Sequence, residues 1–373
     1  MLIGIDASRA FIKNRTGIEE YSYRVIEHLR DKLDGHRVIL YLRKNQSASW
    51  QSDFILPNNW KIKIINFPYF WTQVGLSLEM LFHPVDTLFV PAHTVPLIHP
   101  ENTIVTIHGL EYEFCPEAYS LWGRFYMRCT IKKSCQWASS IIAVSENTKR
   151  DLMRLYNVDN KKTQVIYEGY ACNDKFPMTN DKSISNIYTK YKILDTKYLL
   201  FIGRLEARKN IANIINAFEI LKEQYKIPHK LILAGMPGFG YEKIKNKMAN
   251  VNCCQDIIEL GHIAEEEKWK LFKNASVFVF PTLYEGFGIP ILEAQSAGCP
   301  VIASNNSSIP EVASDSALLI NPNNAEEIAD AIYKLISDEN LRNEIIKKGQ
   351  ENVQRFSWEK CGKEISYVIL SEA

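Results

Sequence analysis

The stretch Pro281-Thr282-Leu283-Tyr284-Glu285-Gly286-Phe287-Gly288-Ile289-Pro290-Ile291-Leu292-Glu293-Ala294 decides how the chain is read. It follows an apolar run, Ser276 to Phe280, that reads as a buried strand. A glycine-bearing loop comes next. Pro290 then falls in a first helical turn, where its missing N–H costs nothing. Strand, loop and helix N-terminus therefore succeed one another. Orphan N–H groups and the positive end of the helix dipole converge at such a point and suit an anion such as a phosphate. Glu285 in the loop and Glu293 about one turn into the helix flank it. Carboxylates do not bind phosphate, but they accept hydrogen bonds from hydroxyls. A phosphate cradle with hydroxyl acceptors on both sides is the arrangement a sugar nucleotide needs.

Outward from this stretch, strand-like and helix-like segments alternate, which predicts parallel sheets covered by helices. Strands are expected at Leu2–Asp6, Val38–Leu42, Ile62–Ile65, Leu88–Val90, Ile104–His108, Ile141–Ser145 and Gln164–Tyr167. Helices are expected from Ile18 to about Leu33, and at Thr72–Phe82, Leu121–Ala138 and Glu146–Tyr156. Ala171 to about Asp195 carries Pro, Asn, Asp, Lys and Ser with little periodicity and reads as a linker. A second series follows, with strands at Tyr198–Ile202, Leu231–Ala234, Ile257–Leu260, Val277–Phe280, Val301–Ala303 and Leu318–Ile320. Late helices are expected at Ala325–Ile336, Leu341–Phe356 and Ser357–Leu370, the last with Ser357 as N-cap. The expected architecture is α/β, with two Rossmann-like domains and a cleft between them. Their expected limits are residues 1–175 and 176–355. Ligands in such sheets sit outside the carboxyl ends of the strands. Gly17, His108, Gly203-Arg204 and Glu285 all follow an expected strand.

A length of 373 residues accommodates two domains, and 46% hydrophobic residues supply their cores. A net charge of +1 gives no argument for nucleic acid. The eight cysteines are scattered with no Cys-x-x-Cys, and the adjacent Cys253-Cys254 make a poor metal pair, so reduced thiols in a cytoplasmic chain are expected. Met1 to Asp6 reads as a first strand and not as a signal peptide. No apolar run reaches the roughly 18 to 20 residues of a membrane span, so any membrane contact is expected to be peripheral.

Arg204 and Lys209 stand five residues apart across an expected loop-to-helix turn, where a guanidinium and an ammonium would serve a diphosphate. A solvated charged loop is the alternative. Gly17 would allow close backbone approach to a phosphate, or be a simple turn glycine. His108 would offer a sugar hydroxyl a neutral imidazole, or be a satisfied structural histidine. Met236-Pro237-Gly238-Phe239-Gly240 does not match G-x-G-x-x-G, which argues against a nicotinamide cofactor. Arg124, Arg128, Lys132 and Lys133 lie along one expected helix among aromatic residues. That helix reads as a peripheral contact with anionic membrane or as an ordinary solvated face. Phe67 to Trp71 is an aromatic cluster open to readings as core, acceptor platform or membrane contact.

Glu285-x7-Glu293 within Tyr284-Glu285-Gly286-Phe287-Gly288, together with Gly203-Arg204-x4-Lys209-Asn210, resembles glycosyltransferase family 4. Val144 to Leu152, Val165 to Gly169 and Phe356-Ser357-Trp358-Glu359 also look like motifs of that family, and the likeness covers essentially the whole chain. The resemblance implies a retaining nucleotide-sugar transferase of GT-B fold, with a C-terminal helix, residues 356–373, returning to the N-terminal domain. By the same likeness, Arg204 and Lys209 would hold the donor diphosphate, Glu293 would accept from ribose hydroxyls and Glu285 would meet the transferred sugar. Gly203 and the amides near Phe287, Gly288 and Ile289 would touch phosphate or sugar, Gly17 would approach the phosphate, His108 would face the sugar, and backbone near Ile263 would contact the base.

No Asp-x-Asp motif is present, so no metal is expected, and no cofactor beyond the donor substrate. The opening Ile5-Asp6-Ala7-Ser8-Arg9 and Thr16-Gly17-Ile18 looks like mannosyltransferases of polysaccharide and O-antigen assembly, which favours GDP-mannose as donor. The expected acceptor is a saccharide or lipid-linked saccharide at the inner face of the cytoplasmic membrane. The alternatives are a UDP- or dTDP-sugar transferase, an epimerase or phosphorylase on the same fold, and a non-catalytic nucleotide-sugar-binding subunit. The chain departs from the pattern twice: many relatives have His-Asp where His108-Gly109 stands, and Gly where Glu19 stands. The first departure removes the carboxylate expected to support His108.

Overall fold

The computed structural model describes residues 1–12, 15–46, 54–170 and 196–371. The chain divides into two compact units. The first takes Met1–Glu113, Leu121–Gly169 and Phe356–Ala373, and the second takes Phe114–Ser120 and Tyr170–Arg355. The expected linker, Ala171 to Asp195, and the expected boundary after residue 175 lie outside the described residues. Phe114–Ser120 is an excursion that periodicity does not reveal. It groups with the second unit, where the Phe114 ring stacks on Tyr284 with centroids 4.6 Å apart.

Among the described residues the first unit holds seven strands: β1 (Leu2–Asp6), β2 (Arg37–Arg43), β3 (Trp60–Ile65), β4 (Thr87–Val90), β5 (Asn102–Ile107), β6 (Ser140–Ala143) and β7 (Thr163–Val165). They form one parallel sheet in the order β3-β2-β1-β4-β5-β6-β7. The order reverses between β1 and β4, which opens a crevice at their carboxyl ends. Strands covered by helices on both faces read as unbroken apolar runs, and every residue of β4 and β6 is buried.

The helix Gly17–Leu29 starts where the Thr16 amide and hydroxyl both donate to the Glu19 carboxylate. Its buried face carries Tyr21, Val25, Ile26 and Leu29, the spacing of an apolar stripe. It ends four residues before the expected Leu33, in a turn where the amides of Lys32 and Leu33 both bond the Leu29 carbonyl at 3.1 Å. The final helix, Trp358–Ser371, packs on it within the first unit, and Ser357 caps it by accepting the Lys360 amide at 3.1 Å. Gly169 lies flat against that helix start: a Cβ there would fall 2.2 Å from the Trp358 nitrogen. The expected helix over 72–82 begins as a π-helical turn, Trp71–Leu76, before Ser77–Phe82. The aromatic cluster beside it is split. Trp71 is buried and donates from its indole to the Ile65 carbonyl at 3.2 Å, while Tyr69 and Phe70 are exposed.

Among its described residues the second unit has six parallel strands: β8 (Tyr198–Ile202), β9 (Lys230–Ala234), β10 (Ile257–Gly261), β11 (Val277–Phe280), β12 (Val301–Ser304) and β13 (Leu318–Ile320). Their order is β10-β9-β8-β11-β12-β13. The reversal here falls between β8 and β11. Helices Tyr241–Asn250 and Glu265–Asn274 lie between β9 and β11. Their sequences are so charged that little apolar periodicity marks them.

Candidate functional site

The loops after β8 and β11 meet at the switch point of the second sheet, and they carry the charged residues that the opening stretch singles out. Lys209 closes a short 3-10 turn, Ala207–Lys209, and its buried ammonium donates to Glu285 Oε1 at 2.5 Å. The next residue explains the placement. Asn210 sits in the left-handed region at φ +59° and donates to the carbonyls of Pro281 and Pro322 at 3.0 and 2.6 Å. The β8 loop is thereby tied to the residue that follows β11.

Glu285 is held at every turn. Its amide donates to Ser307 Oγ at 3.1 Å, and its carbonyl accepts from Ser308 Oγ at 2.9 Å. Oε1 also accepts from Thr282 Oγ1 at 2.9 Å and lies 3.1 Å from Arg208 Nη1. These donors all fall on one oxygen, and none among the described residues falls on Oε2. Burial alone would raise the pKa of this carboxyl. The charges of Arg208 and Lys209, with the hydrogen bonds from Lys209 and Thr282, outweigh it and bring the pKa down to about 2. Lys209 is pushed below the ordinary lysine value, by burial first and by repulsion from Arg208, against the attraction of Glu285.

Glu293 lies in the helix Ile289–Ser296, mostly buried, with Lys268 Nζ at 2.7 Å from its Oε1. Burial disfavours the charge on Lys268, but Glu293 and Glu265 outweigh it and raise the pKa. Gly288 precedes that helix at φ +117°, with the Ile309 side chain 3.0 Å from where a Cβ would stand. Phe287 is buried, its carbonyl accepting from Ser308 Oγ at 2.8 Å, and Ile289 is half-buried.

Arg204, Gly203 and Ile263 make no side-chain hydrogen bond or ion pair with Glu285 among the described residues. Arg204 is exposed, its stem resting on Gly238, and no carboxylate among the described residues lies within ion-pair distance of it. Gly203, at φ +154°, places its carbonyl against Gly235, where a Cβ would come within 1.9 Å. Ile263 packs, half-buried, on the core of the second unit.

In the first unit His108 stands just past β5, buried, with both ring nitrogens engaged. Nδ1 lies 2.9 Å from Glu168 Oε1 and Nε2 lies 2.9 Å from the Pro91 carbonyl. A carbonyl can only accept, so Nε2 is the donor to Pro91. The missing neighbour carboxylate is thus supplied from far along the chain. His93, at φ +48°, lies edge-on to His108 at 5.2 Å, and its buried Nδ1 has no partner among the described residues. Burial, His108 and Arg9 push the pKa of His93 well below the usual histidine value. Gly17 opens its helix on the surface. Nothing lies within 4 Å of where its Cβ would be, so the unit itself does not require glycine there.

Sequence reasoning missed Arg208, Lys268, Glu168 and His93. Arg208 had the one usable signal, since it adjoins Lys209 and stands four residues from Arg204. One chain alone does not reveal which of two such arginines turns inward. The charged helix around Lys268 reads as solvated, and Glu168 gains a role only through the fold.

The chain matches the family described as "Glycosyltransferase Family 4" over residues 15–173 and that described as "Glycosyl transferases group 1" over residues 184–352. It is 30% identical to O-antigen chain mannosyltransferase B of Escherichia coli over 70% of this chain and 68% of that protein. It is 25% identical to O-antigen chain mannosyltransferase RfbU of Salmonella typhimurium over 86% of this chain and 90% of that protein. Among solved structures, WaaG, a glycosyltransferase involved in lipopolysaccharide biosynthesis, aligns with a TM-score of 0.74 at 15% identity over 99% of both chains. Anabaena HepE in complex with UDP and glucose aligns with a TM-score of 0.74 at 18% identity, again over 99% of both chains. At such identities these two speak to the fold alone.

Proposed function

The chain belongs to glycosyltransferase family 4 and is related to O-antigen mannosyltransferases, and from that premise we propose that it is a retaining, metal-independent mannosyltransferase using GDP-mannose. The observation that carries the reading is the buried cluster of Lys209, Arg208 and Glu285 at the switch point of the second sheet. Lys209 turns to the donor diphosphate, and Arg204, exposed and unpaired among the described residues, joins it. The amides at the start of the helix Ile289–Ser296 add donors. Glu285 offers Oε2 to the hydroxyls of the transferred sugar, and Glu293 accepts from the ribose.

As the glycosidic bond breaks, its electron pair stays with the diphosphate and the sugar carbon gains oxocarbenium character. Donors aimed at the departing phosphate gain strength as its charge grows. The acceptor hydroxyl attacks from the face that the diphosphate leaves, and a donor phosphate oxygen takes its proton. The first unit receives the acceptor. His108, held by Glu168 and Pro91, shapes that surface, and Gly17 gives substrate close access to backbone.

The acceptor is a lipid-linked saccharide at the cytoplasmic face of the membrane. On the helix Leu121–Trp137, Leu121, Trp122 and Phe125 are exposed. Arg124 and Arg128 are drawn to Glu113, which leaves Lys132 and Lys133 as outward charges. That pairing of apolar and cationic groups suits an anionic lipid surface. No helix among the described residues is long and apolar enough to cross a membrane. Transfer from a panel of GDP-, UDP- and dTDP-sugars to a lipid-linked acceptor tests the reading: GDP-mannose should be consumed, and turnover confined to UDP- or dTDP-sugars contradicts the donor assignment.

A further inference from the structure

Two cations face the one carboxylate of Glu285, and they are anchored very differently. Arg208 is fixed on several sides: its guanidinium donates to the Tyr284 carbonyl at 2.7 Å and to Glu206 Oε1 at 2.8 Å, and it lies 3.1 Å from Glu285. Its carbonyl accepts the Leu283 amide at 2.9 Å. Arg208 is therefore stitched to the loop that carries Glu285. Lys209, by contrast, has its ammonium on Glu285 Oε1 as its one side-chain hydrogen bond among the described residues, with the Phe280 ring at 5.2 Å. Its stem is flexible and its charge is a point.

We propose that Arg208 is the standing counter-ion of Glu285, which frees Lys209 to swing to a ligand diphosphate. The proposal rests on the nucleotide-sugar reading above. Were Lys209 the sole partner, its departure would strand an unpaired buried carboxylate, and that penalty would be charged against ligand binding. With Arg208 fixed in place, Glu285 stays paired whichever way Lys209 points. Arg208 also repels Lys209 directly, and with burial it disfavours the ammonium where it now lies. Arg208 thus acts through its neighbours and touches neither substrate nor reacting atoms.

The test is a cycle of binding measurements by calorimetry, with GDP and UDP as separate probes. K209Q should weaken the diphosphate about thirtyfold or more, as loss of one charge from a buried pair does. R208Q should weaken it about tenfold, because Glu285 then holds Lys209 back. R208K, which keeps a cation, should recover most of the loss. The decisive arm is the E285Q background, where residue 285 no longer needs a counter-ion: R208Q/E285Q should bind within about twofold of E285Q alone. A purely structural role for Arg208 would not produce that recovery. R208M, which keeps the aliphatic stem, replaces R208Q should the latter melt early. Equal costs of R208Q in both backgrounds, or no cost in either, overturn the proposal while leaving the nucleotide reading intact. K209Q binding both probes as well as wild type overturns the reading, and this role with it.

Discussion

At the carboxyl edge of the first sheet, His108, Glu168 and the Pro91 carbonyl satisfy one another. At the corresponding edge of the second sheet, Glu285 faces both Arg208 and Lys209. The two sheets share a winding scheme, with the order reversing at β1/β4 in one and at β8/β11 in the other. A doubly wound sheet supplies a crevice at that reversal whatever fills it. On the function proposed above, what fills it is chemistry in the second unit and largely architecture in the first. A closed hydrogen-bond set rigidifies. A carboxylate with surplus cations holds charge in reserve for an anion.

The largest effect should come from breaking the loaded edge. Lys209→Gln should lower kcat/KM about 10²–10³-fold, the typical cost of removing one donor to a developing oxyanion. His108→Gln should cost clearly less in the same steady-state assay. If the two losses match, the contrast between the edges fails.

Acid should expose the same asymmetry. Glu285 is depressed from the ordinary 4.5 to about 2 in the folded chain. A depressed carboxyl contributes stability that is fully present above about pH 4.5 and is lost as pH falls toward 2. That shift corresponds to roughly 3 kcal/mol. Urea unfolding followed from pH 6 down to pH 3 should show the decline, and Glu285→Gln should flatten it.

Glu168→Leu leaves a buried ring nitrogen of His108 without its partner, at a cost of about 1–3 kcal/mol in urea unfolding. Its affinity for nucleoside diphosphate should stay that of wild type, because the first edge contributes structure. Smallest in stability is Gly17→Ala. With open space around the new methyl, unfolding free energy should change by less than about 0.5 kcal/mol. Turnover should still fall on the order of tenfold if substrate approaches that backbone closely. A loss of stability there would mean that the fold, not the ligand, requires the glycine.

The fold was legible because buried parallel strands are continuous apolar runs. β8, β11 and β13 match their expected limits residue for residue, since Tyr198–Ile202 and Val277–Phe280 are flanked by glycine, proline or charge. Helices with a clear apolar stripe, such as Glu146–Tyr156, were legible for the same reason. The charged Glu265–Asn274 was not. The site was legible as a set of loops and not as a set of contacts. Glu285 and Lys209 meet although they are 76 residues apart, and their shared position after central strands announced it. The inward arginine was not announced: Arg204 was the expected partner of Lys209, and Arg208 is the one that reaches Glu285. Glu168 supports His108 from 60 residues away, a pairing that no local pattern encodes.

The central claim is that the second edge is a diphosphate site, and thermal unfolding with and without ligand addresses it most directly. Ligands that bind only the folded chain raise its melting temperature. At a concentration about 100-fold above Kd the gain is about 2.7 kcal/mol, a shift of several degrees. GDP and GDP-mannose should produce that shift in wild type and little of it in Lys209→Gln. Unchanged melting with every nucleoside diphosphate and sugar nucleotide at millimolar concentration, or equal shifts in both proteins, would contradict the account.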